Sequence, residues 1–193
     1  MKRVVLLLTS LSSFLVSSTL SSVSVALPSM GRELIVESVT LNWIMMSFLV
    51  ASTMTLMPFG RLADIKGRRK IFIMGVGVFT LASMIIGLSN SADLIIAFRF
   101  VQGIGGAMIF ATGVAILTSV FPLQERGRAL GIYLASVYTG TTAGPLLGGV
   151  LTEALGWRAV FLFNVPLGVF VMGMMLCKVR MEWAEAARER LDV

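Results

Sequence analysis

The sequence predicts an all-α integral membrane protein of six spans, and three observations carry that prediction. Of its 193 residues 56% are hydrophobic and only 13% charged, where a soluble domain has about 45–50% and about 25%. The mean hydropathy is +0.91, which excludes a water-soluble globule and a disordered chain alike. The apolar residues fall into six runs with no period-two alternation, so helices rather than barrel strands are expected. With no His and one Cys, Cys177, the chain offers no imidazole acid–base chemistry, no Cys/His zinc site and no disulfide framework. An enzyme is not expected, and no cofactor or metal ion is called for.

The runs cover residues 4–28, 40–60, 71–90, 94–119, 129–152 and 159–177, each near the roughly 20 residues that cross a bilayer. The connectors carry breakers and charges: residues 29–39, 61–70, 90–93, 121–128 and 153–158, followed by a basic segment over 178–193. Met1-Lys-Arg, an apolar stretch and Ser-Val-Ala also outline a signal peptide. The uncharged stretch from Val4 to Pro28 has span length instead, so a retained first helix is expected.

Lys and Arg are distributed very unevenly. Lys2, Arg3, the five cations between Arg61 and Lys70, Arg126, Arg128, Lys178, Arg180, Arg188 and Arg190 fall on one side of an alternating thread. Only Arg32 and Arg158 fall on the other. The positive-inside rule then places both termini in the cytoplasm and the protein in the cytoplasmic membrane. In so apolar a chain the net charge of +6 marks sidedness, and no nucleic-acid partner is expected.

Four segments are candidates for function. In the first run Ser10, Ser13, Ser17, Ser21 and Ser24 recur at steps of three or four and so share one helix face. That face suits either close helix packing or the wall of a polar cavity. Arg99, six residues past Asp93, lies about 9 Å inside the fourth run. A central Arg costs roughly 2.5–3.5 kcal/mol to insert, so it should face protein or water rather than lipid; Gln102, Gly103 and Gly106 share its face. In the fifth run Ser136, Gly140, Gly144 and Gly148 recur every fourth residue, with Pro145 between them. This permits backbone-to-backbone packing and a bend. In the second connector Gly60 and Gly67 suit a tight reversal, and Asp64 stands among five cations.

Together these segments resemble the major facilitator superfamily, and within it the fourteen-helix drug:proton antiporters. Gly60, Leu62, Ala63, Asp64, Gly67, Arg68 and Arg69 are similar to the superfamily's loop between helices two and three. Arg99, Gln102 and Gly103 resemble its fourth-helix motif, and Gly140, Gly144, Pro145, Gly148 and Gly149 its antiporter motif. Gly156-Trp-Arg-Ala-Val-Phe-Leu-Phe-Asn-Val-Pro-Leu-Gly168 looks like the sixth-helix signature of that branch, and Leu41-Asn-Trp43 like its second-helix entry.

The resemblance implies two three-helix repeats of opposite topology, over 1–90 and 91–177, followed by a basic cytoplasmic tail over 178–193. It also implies export of small amphipathic compounds of the multidrug type, with protons as coupling partner. Asp64 with Gly60, Gly67, Arg68 and Arg69 would form a cytoplasmic gate, Arg99 and Gln102 would organise polar contacts, and Ser17, Thr19 and Ser21 would belong to the cavity wall. Two departures stand out. Thr19 occupies a position where members often carry Asp, and Ile65 one where Arg is usual. No Asp or Glu lies deep in any run. Six helices are half of the family's transporter, so a second half-transporter chain or a second copy is the expected partner. The alternatives are a truncated or decayed half-transporter, and a membrane assembly or binding subunit that transports nothing itself.

Overall fold

The computed structural model describes residues 2–179, so the tail from 180 onward lies outside the described residues. Helices α1 (Lys2–Leu34), α2 (Ser38–Lys66), α3 (Arg68–Leu88), α4 (Ala92–Val120) and α5 (Leu123–Leu155) are followed by α6 (Arg158–Leu162) and α7 (Asn164–Lys178). The last two form a single rod interrupted at Phe163. Pro166 causes the break: without an N–H it cannot bond the carbonyl of Leu162 four residues back, and its ring crowds that turn. The run expected over 159–177 is thus a single span, Arg158–Lys178, whose backbone stays helical through Phe163.

Five rods, α1 to α4 and α6–α7 together, are long and apolar enough to cross a membrane. At 33 residues α5 exceeds the roughly 20 needed, but its middle is built from Gly and Thr rather than Leu and Ile.

The connectors are shorter than the sequence suggests. α1 continues through Pro28 to Leu34, because Met30 is fully buried and Glu33 bonds to Trp157. The turn that follows includes Ile35, a non-glycine residue at φ 52°. α2 runs through Gly60 to Lys66 and α3 begins at Arg68. The reversal therefore falls on Gly67 alone, at φ 107°, where a side chain would be strained; Gly60 is an ordinary helical residue. Ser91 caps α4, its hydroxyl accepting from the Leu94 amide.

α1 packs along α5, α2 along α4, and α3 between α4 and α7. The closest approaches occur where side chains are smallest. A Cβ at Gly140 would stand 2.7 Å from the Phe14 carbonyl oxygen, and one at Gly148 2.7 Å from Ser22 Cα. On α4, a Cβ at Gly105 would meet the Phe79 amide at 2.7 Å, and on the facing helix Gly75 lies against the Gly105 carbonyl. Apolar clusters fill the remainder, one around Val16, Phe48, Phe72 and Ile109, another around Met30, Ile44, Trp157 and Phe161.

Gly140→Leu should therefore force α1 and α5 apart and lower stability by roughly 1–3 kcal/mol, read as a reduced unfolding temperature in detergent. Gly131, with nothing within 4 Å of a built Cβ, is the control: Gly131→Ala should be neutral or slightly stabilising. Equal losses at both positions would contradict the close packing described.

Candidate functional site

Arg99 is the best-defined polar centre. It is 0% exposed, held where α2, α3, α4 and α6 converge. Its Nε donates to the Ile44 carbonyl at 3.1 Å and its Nη1 to Gln102 Oε1 at 2.7 Å. Gln102 Nε2 in turn donates to Ser83 Oγ at 2.6 Å, and Ser83 donates to the Phe79 carbonyl at 2.7 Å. The guanidinium carbon lies 4.6 Å from the centre of the Phe48 ring and 6.0 Å from that of Phe161, so aromatic faces supply part of the solvation a buried cation needs. Among the described residues no carboxylate pairs with it, and its Nη2 has no hydrogen-bond partner. Gly103 makes the arrangement possible by letting the α2 backbone at Phe48 lie directly against α4. The relay is thus Arg99–Gln102–Ser83, from α4 to α3, with Phe48 and Ile44 of α2 as its lid. Sequence reasoning placed Arg99 and Gln102 together but missed Ser83 and Phe48, which lie on other helices and carry no local signal.

At the basic end, Arg68 is nearly buried. Its Nη2 lies 2.7 Å from Asp64 Oδ1 and its Nε 2.9 Å from the same oxygen. Arg68 Nη1 also donates to the Ala115 carbonyl at 3.1 Å and to the Ser119 hydroxyl. The turn at Gly67 therefore fastens the end of α2 to the last turns of α4. Arg69 Nη2 reaches the Met175 carbonyl of α7 at 3.4 Å. The five predicted loop residues come together here, except that Gly60 sits back within α2, with Ala111 of α4 at the edge of contact.

The hydroxyl stripe of α1 is used in packing. Ser22 donates to the Gly144 carbonyl at 2.6 Å, and Ser17 and Ser21 border Gly140 and Gly144. Ser17 and Thr19 are buried and Ser21 is half-buried, with the glycine ladder of α5 drawn onto Ser17 and Ser21. Pro145 and Gly149 lie on the outer side of the seam, Pro145 exposed and Gly149 half-buried. Thr19 faces another way: its hydroxyl donates to Asn164 Oδ1 at 2.9 Å and to the Leu15 carbonyl at 2.7 Å. Asn164 Nδ2 donates to the Val160 carbonyl at 3.0 Å, across the break in the sixth rod.

A further cluster ties the opposite end. Glu33 accepts from Trp157 Nε1 at 2.8 Å and pairs with Arg158. Arg158 also bonds to the Asn90 side chain at 2.5 Å and to the Ser89 carbonyl, and it stacks over the Trp157 ring. The motif Gly156-Trp-Arg was visible in the sequence, but its partner Glu33 was not.

Residues 9–190 match the family profile described as Major Facilitator Superfamily. The chain is 37% identical, over 97% of its length, to the multidrug resistance protein Stp of Mycobacterium tuberculosis, and covers 35% of that protein. It is 44% identical over 82% of its length to the cephamycin export protein CmcT of Amycolatopsis lactamdurans, covering 33% of it. With the tetracenomycin C resistance and export protein of Streptomyces glaucescens it shares 35% identity over 89% of its length, covering 32% of that relative. It thus spans about a third of the length of these curated relatives. A solved bacterial homologue of the human lysosomal transporter Spinster, inward-facing and unoccupied, overlays 91% of this chain and 42% of its own with a TM-score of 0.77 at 22% identity, a likeness of fold. The helical bundle is half of that transporter's architecture, and the profile match runs along nearly all of it: the chain belongs to the Major Facilitator Superfamily.

Proposed function

We propose that this chain is one half of an exporter of small amphipathic compounds, a transporter rather than an enzyme. Arg99 carries the reading. A span that served only as scaffold would not keep a fully buried cation without a carboxylate, and three relatives of this chain are named for drug resistance or export. The bundle divides into two three-helix repeats, 1–90 and 91–177. The pairing of α1 with α5 and of α2 with α4 supports this, since exchanging the two sets turns one pairing into the other. Arg99, Gln102 and Gly103 form the polar centre of the half. Asp64 with Arg68, Arg69 and Gly67 forms its cytoplasmic gate, and Gly140, Gly144, Pro145, Gly148 and Gly149 seat α5 on α1 so that the two move as one body.

A second six-helix unit, on the same polypeptide, another chain or a second copy, supplies the other wall of the pathway. Protons drive the cycle. The described acids, Glu33, Glu37, Asp64, Asp93, Glu125 and Glu153, all sit at helix ends or in turns, so the carboxylate that carries the proton across belongs to that second unit. The protein resides in the cytoplasmic membrane with both termini inside.

Reporter fusions at Glu37, Ser91 and Glu153 should read as external; a cytoplasmic reading at any two of them contradicts the topology. Asp64→Asn should lower export with little loss of membrane expression, and unchanged export would reduce the loop to an orientation signal. Arg99→Lys keeps the charge but cannot serve the Ile44 carbonyl and Gln102 with one planar fork. Export should fall about tenfold or more, the loss expected when charge-assisted bonds worth roughly 1.5–3 kcal/mol are removed. Wild-type export by the Lys variant would sink the role assigned to the relay.

A further inference from the structure

The basic end of the bundle holds a groove that neither the helix packing nor the gate uses. A cavity of about 570 Å³ lies between the first three turns of α1 and the facing part of α5. It opens toward the helix ends into a second of about 510 Å³, the two sharing Arg3, Leu6 and Ile132. The inner part is apolar, walled by Leu6, Leu11, Phe14 and Ile132, and it contains Ser10. Ser10 is only 8% exposed, yet its hydroxyl has no hydrogen-bond partner. Its neighbours Thr9 and Ser12 both bond back to carbonyls of their own helix. A buried hydroxyl left open is unfavourable unless something in the groove meets it.

The mouth is basic. Lys2, Arg3 and Arg128 line it against a single acid, Glu125, and Lys2 already holds that acid at 3.1 Å. Arg3 and Arg128 are exposed and have no ion-pair partner among the described residues. From Arg3 to Phe14 the groove follows α1 for about 16 Å, roughly half the hydrocarbon thickness of a bilayer. A trough of that depth with two unpaired guanidinium groups at its lip matches a molecule with an apolar body and an anionic head. A cationic amphiphile would be repelled at the lip and would meet no carboxylate among the described residues further in.

We infer that the compound this half moves is an anionic amphiphile, its apolar body in the α1/α5 groove beside Ser10 and its anion on Arg3 and Arg128. The inference rests on the export reading and names its substrate class. The full chain in phosphatidylcholine nanodiscs is labelled with two photoreactive probes of equal chain length, an alkyl sulfate and an alkyltrimethylammonium. The sulfate should label α1 and α5 around Ser10 and Ile132. Arg3→Gln with Arg128→Gln should weaken that labelling about tenfold without shifting the unfolding temperature. Equal labelling by both probes, or sulfate labelling that is absent or lies elsewhere, overturns the inference. So does loss of sulfate labelling once phosphatidylglycerol replaces phosphatidylcholine, which would make the groove a seat for membrane lipid. Accumulation assays in cells expressing this half together with its second six-helix unit separate the two readings. Efflux of the ammonium probe but not the sulfate overturns the substrate class and leaves export standing, whereas groove labelling without efflux of either overturns export and keeps the ligand class.

Discussion

Helices within a bilayer gain little from burying leucine against leucine, because lipid tails are equally apolar. What holds them together is close contact, and the distance between backbones decides how much contact there is. The bundle depends on that distance at two seams. Along the first, Gly140, Gly144 and Gly148 bring α5 onto the backbone of α1 near Phe14, Ser18 and Ser22. Along the second, Gly103 and Gly105 bring α4 against α2 and α3. α4 is thereby enclosed from both sides, and Arg99 is carried into the interior with it. The polar centre is a consequence of the glycine seams: bulkier residues there would leave the guanidinium facing lipid, where it is expensive.

Once enclosed, Arg99 sets its own demands. A guanidinium has five N–H donors and no acceptor. Here the Ile44 carbonyl and Gln102 satisfy two groups, the Phe48 ring faces the cation, and one nitrogen remains open. Gln102 then needs an acceptor for its own amide and takes Ser83. Each member thus dictates the next, and truncating one strands its neighbour in an environment without water. An open donor at the end of such a chain is costly to stability. It makes sense where the charge is used rather than merely tolerated.

The sequence was most legible where one residue type does one physical job. Six apolar runs gave six rods, five of them legible because length and hydropathy suffice for a span, and α5 by its length. Gly67 gave the reversal because few other residues accept its φ. Arg99 and Gln102 were readable as a pair because they lie one turn apart on the same helix. Residues whose partners come from distant segments were not. Ser83 reads as an unremarkable span residue until α3 meets α4, and Glu33 as a surface acid until Trp157 and Arg158 reach it. The Ser stripe of α1 illustrates the remaining ambiguity. Small hydroxyl residues suit a packing seam and a polar wall equally, and only the position of α5 decides between them. The expected connectors were too long for a related reason. Charge and proline mark where a helix leaves the apolar layer, but a helix can continue beyond it when side chains such as Met30 and Glu33 find partners.

The ion pairs add a mechanical argument. Lys2–Glu125 joins α1 to α5, Arg68–Asp64 with Ser119 joins the α2–α3 turn to α4, and Arg158 joins α6 to Glu33 of α1 and Asn90 before α4. All of these lie at the ends of the bundle; Lys2–Glu125 is exposed, so water screens it and it contributes little alone, whereas Arg68 is nearly buried. Their geometry matters more than their strength. At the basic end two of them tie again the helices that the glycine seams join, and at the opposite end Arg158 adds a link from α6 to α1 that neither seam makes. A bundle cross-braced at both ends and closely packed along two seams resists internal shear, so motion is expected between bodies rather than within this one. That is the property required of a half that rocks against a partner around a central pathway.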